Sequence, residues 1–124
     1  MNDKNVDWSV RQISTSEQAR AAYRQATVLY DSGDFPGAIV LYDKLLRVSV
    51  SAALGVNPYE VRKARPIAYC KVGRFDEAEY DLKRLLDVLK SHGGSGSSSQ
   101  VMYWYLVARH KGDEKKAMDE WLKL

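Results

Sequence analysis

Three glycines, each opening the same short pattern, constrain this chain more than anything else in it. Gly33 is followed by Phe35, Ala38 and Tyr42, Gly73 by Phe75, Ala78 and Leu82, and Gly112 by Glu114, Ala117 and Trp121. Glycine admits the positive φ of a tight turn between two helices. The small alanine lets those helices approach closely, and the large residue four positions on fills the next gap. Three unrelated hairpins that happen to share a turn would not be expected to repeat all three positions every time.

Helical periodicity surrounds each glycine, and no stretch alternates as a strand would. Ser14-Thr15-Ser16-Glu17 reads as a capping box with Ser14 as N-cap and Glu17 reaching back. Ala19, Ala22, Tyr23, Ala26, Leu29 and Tyr30 then form one apolar face of a helix ending near Gly33. Asp34 caps the next helix, with Pro36 in its first turn and Ala38, Ile39, Tyr42, Leu45 and Leu46 on its inner face. Asn57-Pro58-Tyr59-Glu60 opens a third helix running toward Gly73, which Pro66 is expected to kink. Phe75 to Ser91 buries Ala78, Leu82, Leu85, Leu86 and Leu89. Gln100 to Lys111 is apolar at Val101, Met102, Trp104, Tyr105 and Ala108, and a last helix carries Ala117, Met118, Trp121, Leu122 and Leu124.

The pattern resembles the tetratricopeptide repeat over Ala19 to Leu124. The first repeat fits best, with Ala26 at the small position of its first helix. The second keeps Tyr69 but has Pro66 at that position, and the third has Glu114 where an aromatic is usual. The glycines lie 40 and 39 residues apart, against a family period of about 34. The excess is assigned to a helix extension near Val50 to Gly55 and to the Gly/Ser loop. The resemblance implies an all-α fold: three antiparallel helix pairs stacked into a right-handed solenoid. The domain organisation read from the chain is an N-terminal extension over 1–13 and one domain over 14–124. Within that domain, 92–99 reads as a mobile loop whose Gly/Ser composition matches engineered linkers.

The resemblance also implies a groove lined by first helices. Its register assigns to that groove Tyr23, Thr27 and Tyr30 from the first repeat. The second contributes Lys63, Ala64, Ile67, Cys70 and Lys71, and the third Met102, Tyr103, Leu106 and Arg109. Such an aromatic, apolar trough with a positive edge suits a hydrophobic peptide or helix of another protein, flanked by acids. Family members that grip chaperone C-termini use a Lys/Asn clamp. The matching positions here are Tyr23, Thr27, Ala64, Ser99 and Tyr103, and none of them fits.

Charge narrows the partner class. Nineteen Lys and Arg against sixteen Asp and Glu give +3 over 124 residues, a weak field for nucleic acid. The densest basic stretch, Arg62, Lys63, Arg65, Lys71 and Arg74, scatters around its helix instead of forming a phosphate-tracking line. An RNA-binding repeat is therefore the weaker reading. A structural subunit that self-associates through its repeat ends is the stronger alternative to peptide binding. Trp104, Tyr105, Met118, Trp121 and Leu122 present more apolar surface than one terminal hairpin readily buries. That end is expected to meet a second copy or a continuation of the chain, ahead of the extension around Val6 and Trp8.

Catalytic and metal chemistry find no constellation. His92, His110 and Cys70 lack ligand spacing, and a Cys70–His110 nucleophile pair has no third group to orient it. No nucleotide-binding glycine motif is present. The reading is of a non-enzyme without cofactor or metal. The longest apolar run, Val101 to Ala108, is too short to span a bilayer, and Met1 to Asn5 lacks the start of an export signal. With its single cysteine, the chain reads as cytoplasmic.

Overall fold

A computed structural model describes residues 12–48, 56–91 and 98–124. Within them the protein is all-helical: α1 (Ser16–Asp31), α2 (Phe35–Leu45), α3 (Pro58–Lys71), α4 (Phe75–Ser91), α5 (Ser98–Arg109) and α6 (Glu114–Trp121). The expected extension near Val50 to Gly55, His92, and Val6 and Trp8 lie outside the described residues. Ser99, expected in the Gly/Ser loop, instead sits in the first turn of α5, which begins two residues before Gln100.

The helix starts follow side-chain chemistry. In α1 the capping box falls one residue later than the sequence suggests. Thr15 Oγ1 accepts from the Gln18 amide at 3.1 Å, and Gln18 Oε1 accepts from the amides of Thr15 and Ser14 at 3.2 and 2.8 Å. A glutamine oxygen accepts as well as a carboxylate, and Glu17 is left in the first turn to complement the helix dipole. Asp34 accepts from Gly37, Asn57 from Tyr59 and Asp113 from Lys116, each at 3.0 Å. Arg74 stands before α4 and cannot accept. Its guanidinium holds Glu77 in the first turn instead, through a 2.7 Å bond from Nε.

The turns repeat, with one difference. Gly33, Gly73 and Gly112 all have positive φ, at 89°, 82° and 89°. After α1, Asp34 donates to the Leu29 carbonyl at 2.8 Å and Gly33 to Tyr30 at 3.1 Å; after α3, Arg74 donates to Tyr69 at 2.9 Å and Gly73 to Cys70 at 3.3 Å. Both are Schellman closures with glycine at the left-handed position. After α5 the same pair of bonds runs from Gly112 to Val107 at 2.8 Å and from Lys111 to Ala108 at 3.0 Å. Here Lys111, at φ 54°, takes the glycine's place and Gly112 follows it. The third link is therefore one residue longer, four residues where the others have three.

The described residues belong to two compact units that divide between Ala68 and Tyr69, inside α3. In the first, α1 packs on α2. Ala19, Ala21, Ala22 and Ala26 meet Ala38, Leu41, Tyr42 and Leu45 of α2 and Val61 of α3 in one cluster. Four alanines on one helix supply little bulk, so the close backbone approach itself excludes water. Arg65 Nη1 of α3 donates to Asp43 of α2 at 2.9 Å. In the second unit α4 packs on α5 and α5 on α6. Its buried residues include Ala78, Leu82, Leu85 and Leu86 of α4, Val101, Leu106, Val107 and Ala108 of α5, and Ala117 of α6.

Pro66 leaves the Arg62 carbonyl without its usual helical donor, yet α3 continues through it to Lys71. From Pro66 to Cys70 every residue is buried, so this half of α3 has no solvent face. The small alanines sit where the pattern places them: Ala38 and Ala78 are wholly buried. Ala78→Leu is expected to overpack that site and cost about 1–3 kcal/mol, read as a lower melting temperature; an unchanged one would show a looser contact.

Candidate functional site

In the first unit, Tyr23, Thr27 and Tyr30 share one side of α1, and all three are half-buried. The Thr27 hydroxyl donates to the Tyr23 carbonyl at 3.0 Å, so its methyl is the more available part of it. Tyr30 meets Phe35 edge to face, with centroids 5.2 Å apart. Tyr42 lies behind them, 2% exposed. Burial, and after it the nearness of Tyr23, Tyr30 and Asp31, pushes its phenol well above the ordinary range. Lys63 stands 3.7 Å from Glu60 and 5.5 Å over the Tyr59 ring, so its charge is already engaged. Ala64 is half-buried, and Ile67 is buried at 5% exposure.

In the second unit, Lys71 lies over the Trp104 ring at 4.9 Å. Tyr103 stacks beside Trp104, with centroids 5.5 Å apart and planes 10° from parallel, and approaches Trp121 at 6.4 Å. Burial raises the Tyr103 phenol, and the Glu114 carboxylate adds to this by its charge and by accepting the hydroxyl's hydrogen bond. Met102 is half-buried and Leu106 is 2% exposed. Arg109 Nη1 comes within 3.8 Å of Glu120, whose other oxygen pairs with His110 Nε2 at 2.8 Å.

The positive edge expected from sequence is thus largely compensated, since Lys63 and Arg109 each face a glutamate. Of the three basic groove residues only Lys71, set against Trp104, lacks an acid partner among the described residues. The longer third turn also moves the register. Counted back from the left-handed residue, Tyr23, Thr27 and Tyr30 correspond to Lys63, Ile67 and Cys70 and then to Val101, Tyr105 and Ala108. Met102, Leu106 and Arg109 each stand one place further along their helix. By the same count Asp31, Lys71 and Arg109 are equivalent. Asp31 falls outside a groove defined by apolar and basic residues, and Arg20 lies three residues before Tyr23, where the groove register begins.

Cys70 is buried, which pushes its thiol up to about 11, so it stays protonated at neutral pH. His110, its imagined partner, is engaged with Glu120. Among the described residues there is no group of three or more His, Cys, Asp or Glu that could hold a metal ion. No helix there is long and apolar enough to cross a membrane. Compared with known proteins, the chain matches no family model, no curated protein and no solved structure.

Proposed function

We propose that this chain is a non-enzymatic protein-interaction module. In this reading it is a divergent tetratricopeptide-like array whose three helix pairs stack into a right-handed solenoid, and whose first helices hold an extended segment of a partner protein. The observation that carries it is the thrice-built glycine turn, each followed by an alanine at most 1% exposed at the helix crossing. The half-buried aromatic side of α1 agrees with it, because rings held half out of the core offer contact area at little entropic cost.

Thr27→Arg tests it. The side chain is half-buried on the proposed surface and arginine is a good helix former. Against a partner first identified by affinity capture, the variant is expected to lose about tenfold or more in affinity while its helical spectrum stays unchanged. Unchanged affinity would place the partner elsewhere.

A second reading has an observation of its own. Met118, Leu122 and Leu124 are 44%, 74% and 77% exposed near the end of α6, and surface of this kind favours self-association. A solution mass that doubles with concentration, and returns to the monomer on Leu122→Lys, would favour it.

A further inference from the structure

Arg20 and Asp31 are both exposed, and neither makes an ion pair among the described residues. Eleven residues apart on α1, they point within about 20° of each other and stand about 16 Å apart along the axis. Thr27 lies on the line between them, with Tyr23 and Tyr30 along one flank. Arg24 borders the other flank and has its own contact. Glu17 stands one turn before Arg20 on the Arg24 side, so with Arg20 and Arg24 the face carries a net positive charge toward the helix start and a negative one at its end.

Asp31 is the last residue of α1, where a negative charge opposes the helix dipole. A cation there would suit the helix better, so the carboxylate is held against local preference, as happens at functional positions. Tyr30 is its neighbour in sequence, and Tyr42 lies within electrostatic range of Tyr23, Tyr30 and Asp31.

We propose that this face of α1 reads an extended partner segment bearing opposite charges six residues apart on one side of the strand, an acid at Arg20 and a base at Asp31, with the apolar side chains of that side over Tyr23 and Tyr30 between them. Six extended residues span about 20–22 Å and return the second charge to the same side as the first; the flexible ends of a Glu and an Arg leaning inward take up the few ångströms beyond the axial separation. The inference rests on reading this face as the peptide surface. It replaces the doubly acidic partner expected from sequence, because α1 offers a cation at one end only. A second copy fits less well. Antiparallel pairing of two α1 helices would set each Arg20 against an Asp31, but it brings the two copies of Arg24 to within about one helical turn of each other.

The probes are end-blocked heptapeptides with Leu at the third and fifth positions and Ser at the second, fourth and sixth, carrying Glu and Arg at the ends in either order, Glu at both ends, or Arg at both ends. Titrated at low salt, one of the two bipolar peptides is expected to bind about three- to tenfold tighter than either like-charged peptide, with the margin shrinking as salt rises. In the double variant Arg20→Asp with Asp31→Arg, the preference should pass to the other bipolar peptide. Both positions are exposed and the new Arg suits the helix end, so the helical spectrum should not change. Equal binding of all four peptides, tightest binding of the doubly acidic one, or a preference that survives the swap would overturn the bipolar reading and leave the peptide surface standing. Failure of all four to bind would overturn the surface as well. A dimer dissociated by Arg20→Asp and restored by the swap would assign the face to a second copy.

Discussion

Leu82→Ala is expected to lower the stability of the second unit by about 2–5 kcal/mol, the largest effect of any single truncation considered. Leu82 is wholly buried in the middle of α4, one turn from Ala78 and from Leu85 and Leu86. α4 packs against α5, whose Val101 and Leu106 are also among the largest fully buried side chains. Truncation removes the transfer energy of the lost carbons and leaves a cavity that rigid helices cannot close. Thermal unfolding followed by circular dichroism should show a melting temperature lower by roughly 6 °C or more. Val88→Ala on the same helix, at a site 52% exposed, provides the control and should shift stability by no more than about 0.5 kcal/mol. A small effect at Leu82 would mean that the α4–α5 contact is loosely packed.

The elements legible in the sequence were those specified by local chemistry. Glycine at positive φ, Asp34 and Asn57 as caps, and alanine at the crossings each need only a few neighbouring residues, and all are where the pattern placed them. The slip at the α1 cap arose because Ser14-Thr15-Ser16 offers three hydroxyls in a row, followed by both Glu17 and Gln18. Two boxes compete there, and geometry chooses. Nothing local marks Lys111 as a left-handed residue, so aligning on Gly112 hid the extra residue and displaced the third set of candidates by one. Ile67 is a different case: helical spacing gives one face, but α3 is enclosed on all sides from Pro66 to Cys70, and only tertiary packing decides that. The charges divide in the same way. Lys63 and Glu60 are three apart on one helix and could have been paired from sequence, whereas Arg109 meets Glu120 across two helices.

Gly112→Val is expected to destabilise the protein by roughly 2–5 kcal/mol, the sum of a backbone and a packing cost. Gly112 has φ 89°, a conformation that a β-branched residue adopts only under strain. A Cβ there would also lie 2.6 Å from Cζ and 3.2 Å from Cε1 of Phe75, at the start of α4. Phe75 is half-buried, so its ring cannot simply move into solvent. Gly33 and Gly73 have the same sign of φ, but a Cβ at either would meet nothing within 4 Å. Valine at those two positions should therefore incur the backbone cost alone, about 1–2 kcal/mol. The neighbouring residue should respond in the opposite sense. Lys111→Gly relieves a left-handed lysine and is expected to stabilise by about 0.5–1 kcal/mol. The ion pair it loses, to Asp76, is largely exposed on both sides and offsets little of that gain. Melting temperatures should therefore rank Lys111→Gly above the native chain, then Gly33→Val and Gly73→Val, with Gly112→Val lowest. Equal losses at the three glycines would mean that the Phe75 contact is not what distinguishes the third turn.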